Sequence, residues 1–350
     1  MRVFLTGATG FIGSAILREL VSAGHTVVGL ARSDAAVRAL LQAGAGVHRG
    51  ALDDLASLQR GAADADGVIH TAFNHNFADY AGAGETDRRA VEALGAGLAG
   101  TGRPLVITSG INVFNAGHQG TEDDGADAGS PSSIRIPSEE AIMALAERGV
   151  RACLVRLPPS VRGDGDHGFI PALIAIAREK GVSAYVGDGA NRWPAVHRLD
   201  AVNLFRLALE KGRAGSRFHG VADQGVPTRE IATIVGRRLA IPVLSIPLEN
   251  ASDHFGWLAN IFGIDIPATS VLARERLGWQ VKATATRTGL AGECFCRQGI
   301  VGYHHDRWAD RAPGHRPDLA AHLRVCLFCD TAVGSDVRAR VCRVRTSATG

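Results

Sequence analysis

The chain is 350 residues long, 46% apolar and 21% charged, with a formal net charge of +3. That is enough chain for one large domain or two modest ones, and too little charge to argue for a nucleic-acid partner. The most apolar run, residues 169–177, stops at Arg178, well short of a membrane span. The N-terminus enters a strand directly, with no charged leader or cleavage site, and Cys153 is the only cysteine in the first 290 residues. A signal peptide and a disulfide framework are therefore not expected, and a cytoplasmic location is.

Val3, Phe4 and Leu5 form a short β-favouring run that ends at Thr6. Gly7-Ala8-Thr9-Gly10-Phe11-Ile12-Gly13 follows, then an amphipathic segment over 14–23, a break at Gly24-His25 and a second apolar run over 26–30. The pattern reads strand, glycine turn, helix, turn, strand: a right-handed βαβ unit. Bare Cα atoms at 7, 10 and 13 leave room for a pyrophosphate, whose charge suits the free N–H groups of the helix N-terminus. The second strand ends at Ala31-Arg32-Ser33. An acidic residue there bonds the ribose 2′-OH of NAD, whereas an arginine suits the 2′-phosphate of NADP. Arg32, with the Ser33 hydroxyl beside it, favours NADP(H) over NAD(H), and Asp34 next door keeps NAD(H) open.

Further along, the spacing predicts a helix over 35–42, a third strand over 46–49 and a helix opened by Asp53-Asp54-Leu55. The continuous apolar runs 67–72, 105–110 and 150–157 read as strands buried on both faces. Strands alternating with helices argue an α/β Rossmann fold, a doubly wound parallel sheet, over residues 1–157. Residues 158–280 read as a smaller substrate lobe that completes a cleft. Helices are expected there over 170–179, 202–211 and 228–239, the last with Thr228 as N-cap and Glu230 in its first turn. A polar, glycine-rich loop is expected over 187–198 and a strand over 219–222.

The spacing G-x-x-G-x-x-G, with Thr6 before it and Phe11-Ile12 inside it, resembles the extended short-chain dehydrogenase/reductase type, whose members bind NAD(P) on a Rossmann fold. Residues 148–159, ending Val155-Arg156-Leu157-Pro158-Pro159, carry the same resemblance, as do Gly165-Asp166-His167-Gly168-Phe169 and the stretch 187–198. It covers roughly residues 1–280. What it implies is a cofactor site made by Gly7, Thr9, Gly10, Phe11, Ile12, Gly13, Arg32, Ser33, Thr71, Ala72, Phe73, Thr108, Arg135 and Pro158. Ala51 stands where the family usually carries an Asp near the adenine, so that contact is expected to fall to backbone or to Leu52 and Asp53. A small-molecule substrate and a monomer or homodimer follow, with no nucleic-acid or membrane partner.

Reductases of this type pair a hydroxyl with a Tyr and a Lys four residues later. The three tyrosines, Tyr80, Tyr185 and Tyr303, are followed four residues on by Gly84, Gly189 and Arg307. The pair is absent, as in an atypical subgroup that the stretch 135–141 also matches, and alignment puts its expected positions near Pro131 and Arg135. Arg135 suits ribose or phosphate oxygens, but a guanidinium holds its proton too firmly to be a good proton donor. Ser109, at the end of the fifth strand, is the candidate to hydrogen-bond a substrate carbonyl, against a role as strand-end cap. His167, an imidazole in a Gly/Asp loop after the sixth strand, is the candidate proton donor, against a loop histidine in solvent. Asn74, in the run that continues through His75-Asn76-Phe77 to Tyr80, lies at the cleft or on a surface loop. Arg192 and Trp193 are a candidate clamp for an anionic or planar substrate group, with Trp193 alternatively a packing anchor. Asp200 reads as a helix cap. Three functions compete: an NAD(P)-dependent oxidoreductase acting on a small carbonyl or alcohol, an NADP(H) sensor without turnover, and a sugar-nucleotide epimerase or dehydratase.

Beyond Gly278-Trp279-Gln280 arginine becomes frequent, periodicity fades and five cysteines appear, from Cys294 to Cys342. A poorly ordered extension over 281–350 without metal is expected, with a helix only over 317–329. The alternatives are a shifted reading frame and a zinc site from Cys294-x-Cys296, His304-His305 and Cys326-x-x-Cys329.

Overall fold

A computed structural model describes residues 1–74, 79–113, 118–130 and 133–282. They all belong to the first of two units into which the chain divides, Met1–Tyr303; the second, His304–Gly350, lies outside the described residues. The readings placed on the tail, on Pro131 and on His75-Asn76-Phe77 fall outside them too.

The chain begins as expected, with β1 (Arg2–Thr6), α1 (Phe11–Ser22), β2 (Thr26–Ala31), α2 (Asp34–Gln42), β3 (Gly46–Arg49), α3 (Leu55–Ala63) and β4 (Gly67–His70). It continues through α4 (Tyr80–Leu98), β5 (Pro104–Gly110), α5 (Ile136–Glu147) and β6 (Arg151–Leu157). Ser33 and Asp54 cap α2 and α3, accepting hydrogen bonds from the Ala36 and Ser57 N–H groups. The second half holds β7 (Ser160–Arg162), α6 (Phe169–Lys180), β8 (Ser183–Val186), β9 (Arg192–His197), α7 (Arg198–Lys211), β10 (Arg217–His219), β11 (Asp223–Pro227), α8 (Thr228–Leu239) and β12 (Val243–Ile246). Three short helices close the described chain: α9 (Ala251–Phe255), α10 (Ala259–Phe262) and α11 (Val271–Leu277).

Seven parallel strands form the main sheet in the order β10-β6-β5-β4-β1-β2-β3. Its strand order reverses between β1 and β4, the point where open α/β sheets leave a crevice at the carboxyl ends of their strands. One face packs Val3, Leu5, Ile69, Val106 and Val155 against α1 and α7. The other packs Phe4, Val68, Leu105, Ile107 and Leu154 against α3, α4 and α5. Both faces are covered, which is why these strands read as unbroken apolar runs. A separate core joins α6, β8, α8, α9 and α10 around Trp193, Phe255 and Phe262. Between these parts the chain crosses back: α7 and β10 belong to the large sheet's layers although they lie within 158–280.

Three local expectations are corrected. The loop over 187–198 contains β9, the middle strand of a three-stranded sheet ordered β11-β9-β7. Thr228 does not cap α8: Pro227 stands at the cap, and the Thr228 hydroxyl donates to Asn191 Oδ1 at 2.6 Å. The cap of α7 is His197, whose Nδ1 accepts from the Leu199 N–H, while Asp200 Oδ1 accepts from the Lys282 N–H at 2.9 Å and ties down the end of the described chain.

Candidate active site

The crevice is built where the β1–α1 turn meets the end of β4. Gly7 has φ +69°, and a Cβ there would lie 2.7 Å from both the Ala72 nitrogen and Thr71 Oγ1. A Cβ on Gly13 would come within 2.0 Å of the Gly7 carbonyl oxygen. These two glycines therefore serve the protein's own packing, which corrects the view that all three bare positions face a ligand. Gly10 is different: its Cβ would meet only the Gly7 oxygen, at 3.2 Å, and the residue is exposed, as is Thr9. No side chain caps α1, so the N–H groups at its start, from Phe11 onward, are left to solvent or ligand. An uncapped helix N-terminus behind an exposed, side-chain-free Gly10 fits the diphosphate of a dinucleotide. Arg32 and Ser33 are exposed at the end of β2, and Arg32 has no ion-pair partner among the described residues. Leu52 is half-buried against the core under α3.

Beneath the crevice runs a hydrogen-bonded chain. Asp87, on α4 and 1% exposed, accepts from His70 Nε2 at 3.0 Å and from Ser138 Oγ at 2.5 Å. A carboxylate only accepts, so the His70 proton sits on Nε2 and Nδ1 accepts from the Thr6 hydroxyl at 2.7 Å. Thr6 Oγ1 in turn takes the Ala72 N–H at 3.4 Å, and Thr71 Oγ1 donates to the Thr6 carbonyl at 2.9 Å. Burial alone would raise the Asp87 carboxyl; the Arg135 guanidinium 3.6 Å away, His70 and Ser138 outweigh it and hold it below its ordinary value. The same guanidinium donates to the Thr108 carbonyl and lies over the Phe73 ring, 4.2 Å from its centroid. Tyr80 meets Phe73 edge-on, with ring centroids 6.1 Å apart. Burial raises its phenol, and Arg135 pulls the other way.

Ser109 is 5% exposed at the end of β5, and its Oγ has no hydrogen-bond partner among the described residues. Its neighbour across the sheet is Arg156, fully buried, which forks onto Glu139 at 3.0 and 2.5 Å and donates to the Asp124 carbonyl at 2.9 Å. Pro158, buried, follows the end of β6, and Asn74 is exposed beyond β4. Cys153 is no nucleophile: burial pushes its thiol up to about 12.

Three candidates sit elsewhere. His167 packs edge-on against Phe11 at the start of α1, centroids 5.8 Å apart, with its Nδ1 3.0 Å from the Gly165 carbonyl. His167 therefore lies beside the start of α1, whereas Ser109 lies at the end of β5. Trp193 is fully buried, edge-on to Phe262 at 5.1 Å, and is the packing anchor rather than a clamp. Arg192 is 45% exposed, and one edge of its guanidinium is engaged: Nη2 and Nε hold Asp265 at 2.8 and 3.0 Å. Conversely, the sequence reading passed over Asp87, His70 and Arg198. A histidine ending an otherwise apolar strand was the available signal for His70; nothing local marked the other two.

Residues 3–219 match the NAD dependent epimerase/dehydratase family, and the chain belongs to it. It is 49% identical over 296 residues to a protein of Schizosaccharomyces pombe described as uncharacterized, covering 84% of this chain and all of that one. It is 26% identical over 331 residues to a 4-hydroxy-2-methyl-3-oxo-4-farnesyl-3,4-dihydroquinoline-1-oxide ketoreductase of Stigmatella aurantiaca, covering 86% and 95%. The dTDP-glucose 4,6-dehydratase DesIV of Streptomyces venezuelae, solved with NAD bound, shares the fold with a TM-score of 0.67 at 22% identity, over 83% of this chain and 95% of that one. No helix among the described residues is long and apolar enough to cross a membrane.

Proposed function

We propose that the chain is an oxidoreductase that interconverts a small carbonyl compound and its alcohol, with NADP(H) preferred over NAD(H). The observation that carries the reading is the α1 N-terminus left uncapped behind Gly10, with the exposed Arg32 at the end of β2. Gly10, Phe11, Ile12 and Gly13 would hold the diphosphate through backbone N–H groups. Arg32 and Ser33 would hold the 2′-phosphate, and Thr71, Ala72 and Phe73 would line the nicotinamide half. When bound, the cofactor supplies or accepts a hydride. The chain's part is to hold the carbonyl and manage its proton. The unpartnered Ser109 hydroxyl suits a carbonyl oxygen, and the Tyr80 phenol, which feels the Arg135 charge, would be the proton donor in place of His167. The guanidinium would favour the phenolate after the proton has moved, the service an ammonium gives elsewhere.

A second reading, a dinucleotide sensor without turnover, is favoured by the burial of Ser109. A steady-state NADPH-oxidation screen with ketones, aldehydes and quinones separates the two. Turnover that falls at least a hundredfold in Tyr80→Phe and in Ser109→Ala, with NADPH binding unchanged, supports the oxidoreductase. Tight NADPH binding with no substrate-dependent oxidation supports the sensor.

A further inference from the structure

The second half of the chain sends one charged side chain back to the start of α1. Arg198 opens α7, and its guanidinium lies over the Phe11 ring, 4.8 Å from the centroid. Nη1 reaches the Phe11 carbonyl at 3.5 Å, and Nε is buried with no hydrogen-bond partner. The loop carrying His167 passes close by: a Cβ on Gly163 would stand 3.1 Å from Arg198 Cβ.

The charges around this guanidinium do not balance. Burial lowers its proton affinity and Arg18, on α1, lowers it further; Asp164 and Asp166 act the other way. Arg198 forms no ion pair among the described residues, and Asp166 Oδ1 accepts from the Gly168 N–H at 2.8 Å. The uncapped α1 N-terminus adds about half a positive charge of its own. A partly buried cation beside a helix N-terminus costs free energy in the empty protein, and an anion with several oxygens removes that cost.

Building on the dinucleotide reading above, we propose that Arg198 is a diphosphate-binding residue, supplying from α7 the counter-charge that the α1 N-terminus only partly provides. Binding thereby draws α7 and α1 into one site, so the Arg198 and His167 segments respond to the same ligand as the glycine turn.

The test uses Arg198→Met, which keeps an aliphatic stem over Phe11, and Arg198→Lys, which keeps the charge without the fork. Calorimetry is run with NADPH and with inorganic pyrophosphate, and thermal unfolding is followed with no ligand. In Arg198→Met, NADPH and pyrophosphate should each bind about tenfold or more weakly, at least 1.4 kcal/mol. Arg198→Lys should fall between that variant and the wild type. The empty Arg198→Met protein should melt at or above the wild-type temperature, because an unbalanced cation has gone. Wild-type affinity in Arg198→Met overturns the proposal, as does an empty protein that melts lower, the mark of a merely structural arginine. Wild-type protein that takes up pyrophosphate through Arg198 but no dinucleotide refutes the oxidoreductase reading and leaves the anion site standing. Uptake of neither ligand overturns both.

Discussion

The glycine turn makes a prediction that separates folding from binding. At Gly10, φ is −79° and ψ 177°, extended backbone that alanine adopts freely, and an added Cβ meets only the Gly7 oxygen at 3.2 Å. Replacing glycine at such a position gains roughly 0.4–1 kcal/mol by restricting the unfolded chain, and the tight contact takes back a few tenths, so Gly10→Ala should leave stability within about 0.5 kcal/mol of wild type. Gly13 lies inside α1, where alanine is worth about 1 kcal/mol in helix propensity. Its Cβ, however, would stand 2.0 Å from the Gly7 oxygen and 2.6 Å from the Gly7 carbon, both backbone atoms. Relief requires moving the turn or the helix by more than an ångström, the range in which overpacking costs about 1–3 kcal/mol or more, so Gly13→Ala should be net destabilised by roughly 2 kcal/mol. Urea unfolding measures the first quantity and calorimetric NADPH titration the second. Gly10→Ala should fold normally and lose at least tenfold in NADPH affinity, because its methyl stands on the open side of the turn. Full NADPH affinity in Gly10→Ala, or wild-type stability in Gly13→Ala, would refute the division of labour among the three glycines.

Other outcomes follow from the buried groups. Arg156 and Glu139 neutralise each other out of reach of water, so Glu139→Ala, which strands the guanidinium, should cost about 3–5 kcal/mol in urea unfolding, and a double replacement by Met at Arg156 and Leu at Glu139 markedly less. His219 is fully buried, with its ring against the Thr269 carbonyl, and burial pulls its pKa down to about 3. Its folded form therefore stays neutral while the unfolded form gains a proton below about pH 6.5, so stability falls as pH drops from 7 and about 2 kcal/mol is lost by pH 5. His219→Asn, which retains an N–H for Thr269, should flatten the loss between pH 7 and 5 by that amount; an unchanged pH profile would rule the assignment out. Arg32→Ala should cut NADPH affinity about tenfold and leave NADH within twofold, and an equal loss for both cofactors would show that Arg32 does not read the 2′-phosphate.

What the sequence made legible was whatever is written in neighbouring residues. The β1–α1 turn shows in its glycine spacing, and the main-sheet strands show in unbroken apolar runs, because both are local signals. β9 escaped because Pro194 argues against a central strand. The structure resolves the conflict at the ladder: the register of β11 on β9 shifts between Asp223 and Val226, opposite Pro194, so the missing N–H falls where an irregularity already interrupts the pairing. Trp193 read equally as clamp or packing anchor, because the rings that enclose it, Phe262 and Phe169, are distant in sequence.

The candidate site was legible only along its backbone edge, and the reason is physical. Strand alternation puts Thr6, His70, Ser109, Arg156 and His219 on the face shared with Phe4, Ile107 and Leu154. These polar residues end apolar strands, and His70 and Arg156 find their partners on covering helices. Asp87 and Ser138, one on α4 and one on α5, meet over His70, while Glu139 meets Arg156. Such pairings span from 17 to 64 residues of chain, and no window of sequence contains both ends. Their effect reaches the surface through backbone: Asp87 orders His70, His70 orders Thr6, and Thr6 holds the Ala72 N–H beside Gly7. A buried carboxylate thereby sets the shape of the crevice in which a dinucleotide would lie. Asp87→Asn tests that linkage, since an amide keeps the shape while letting the His70 tautomer reverse.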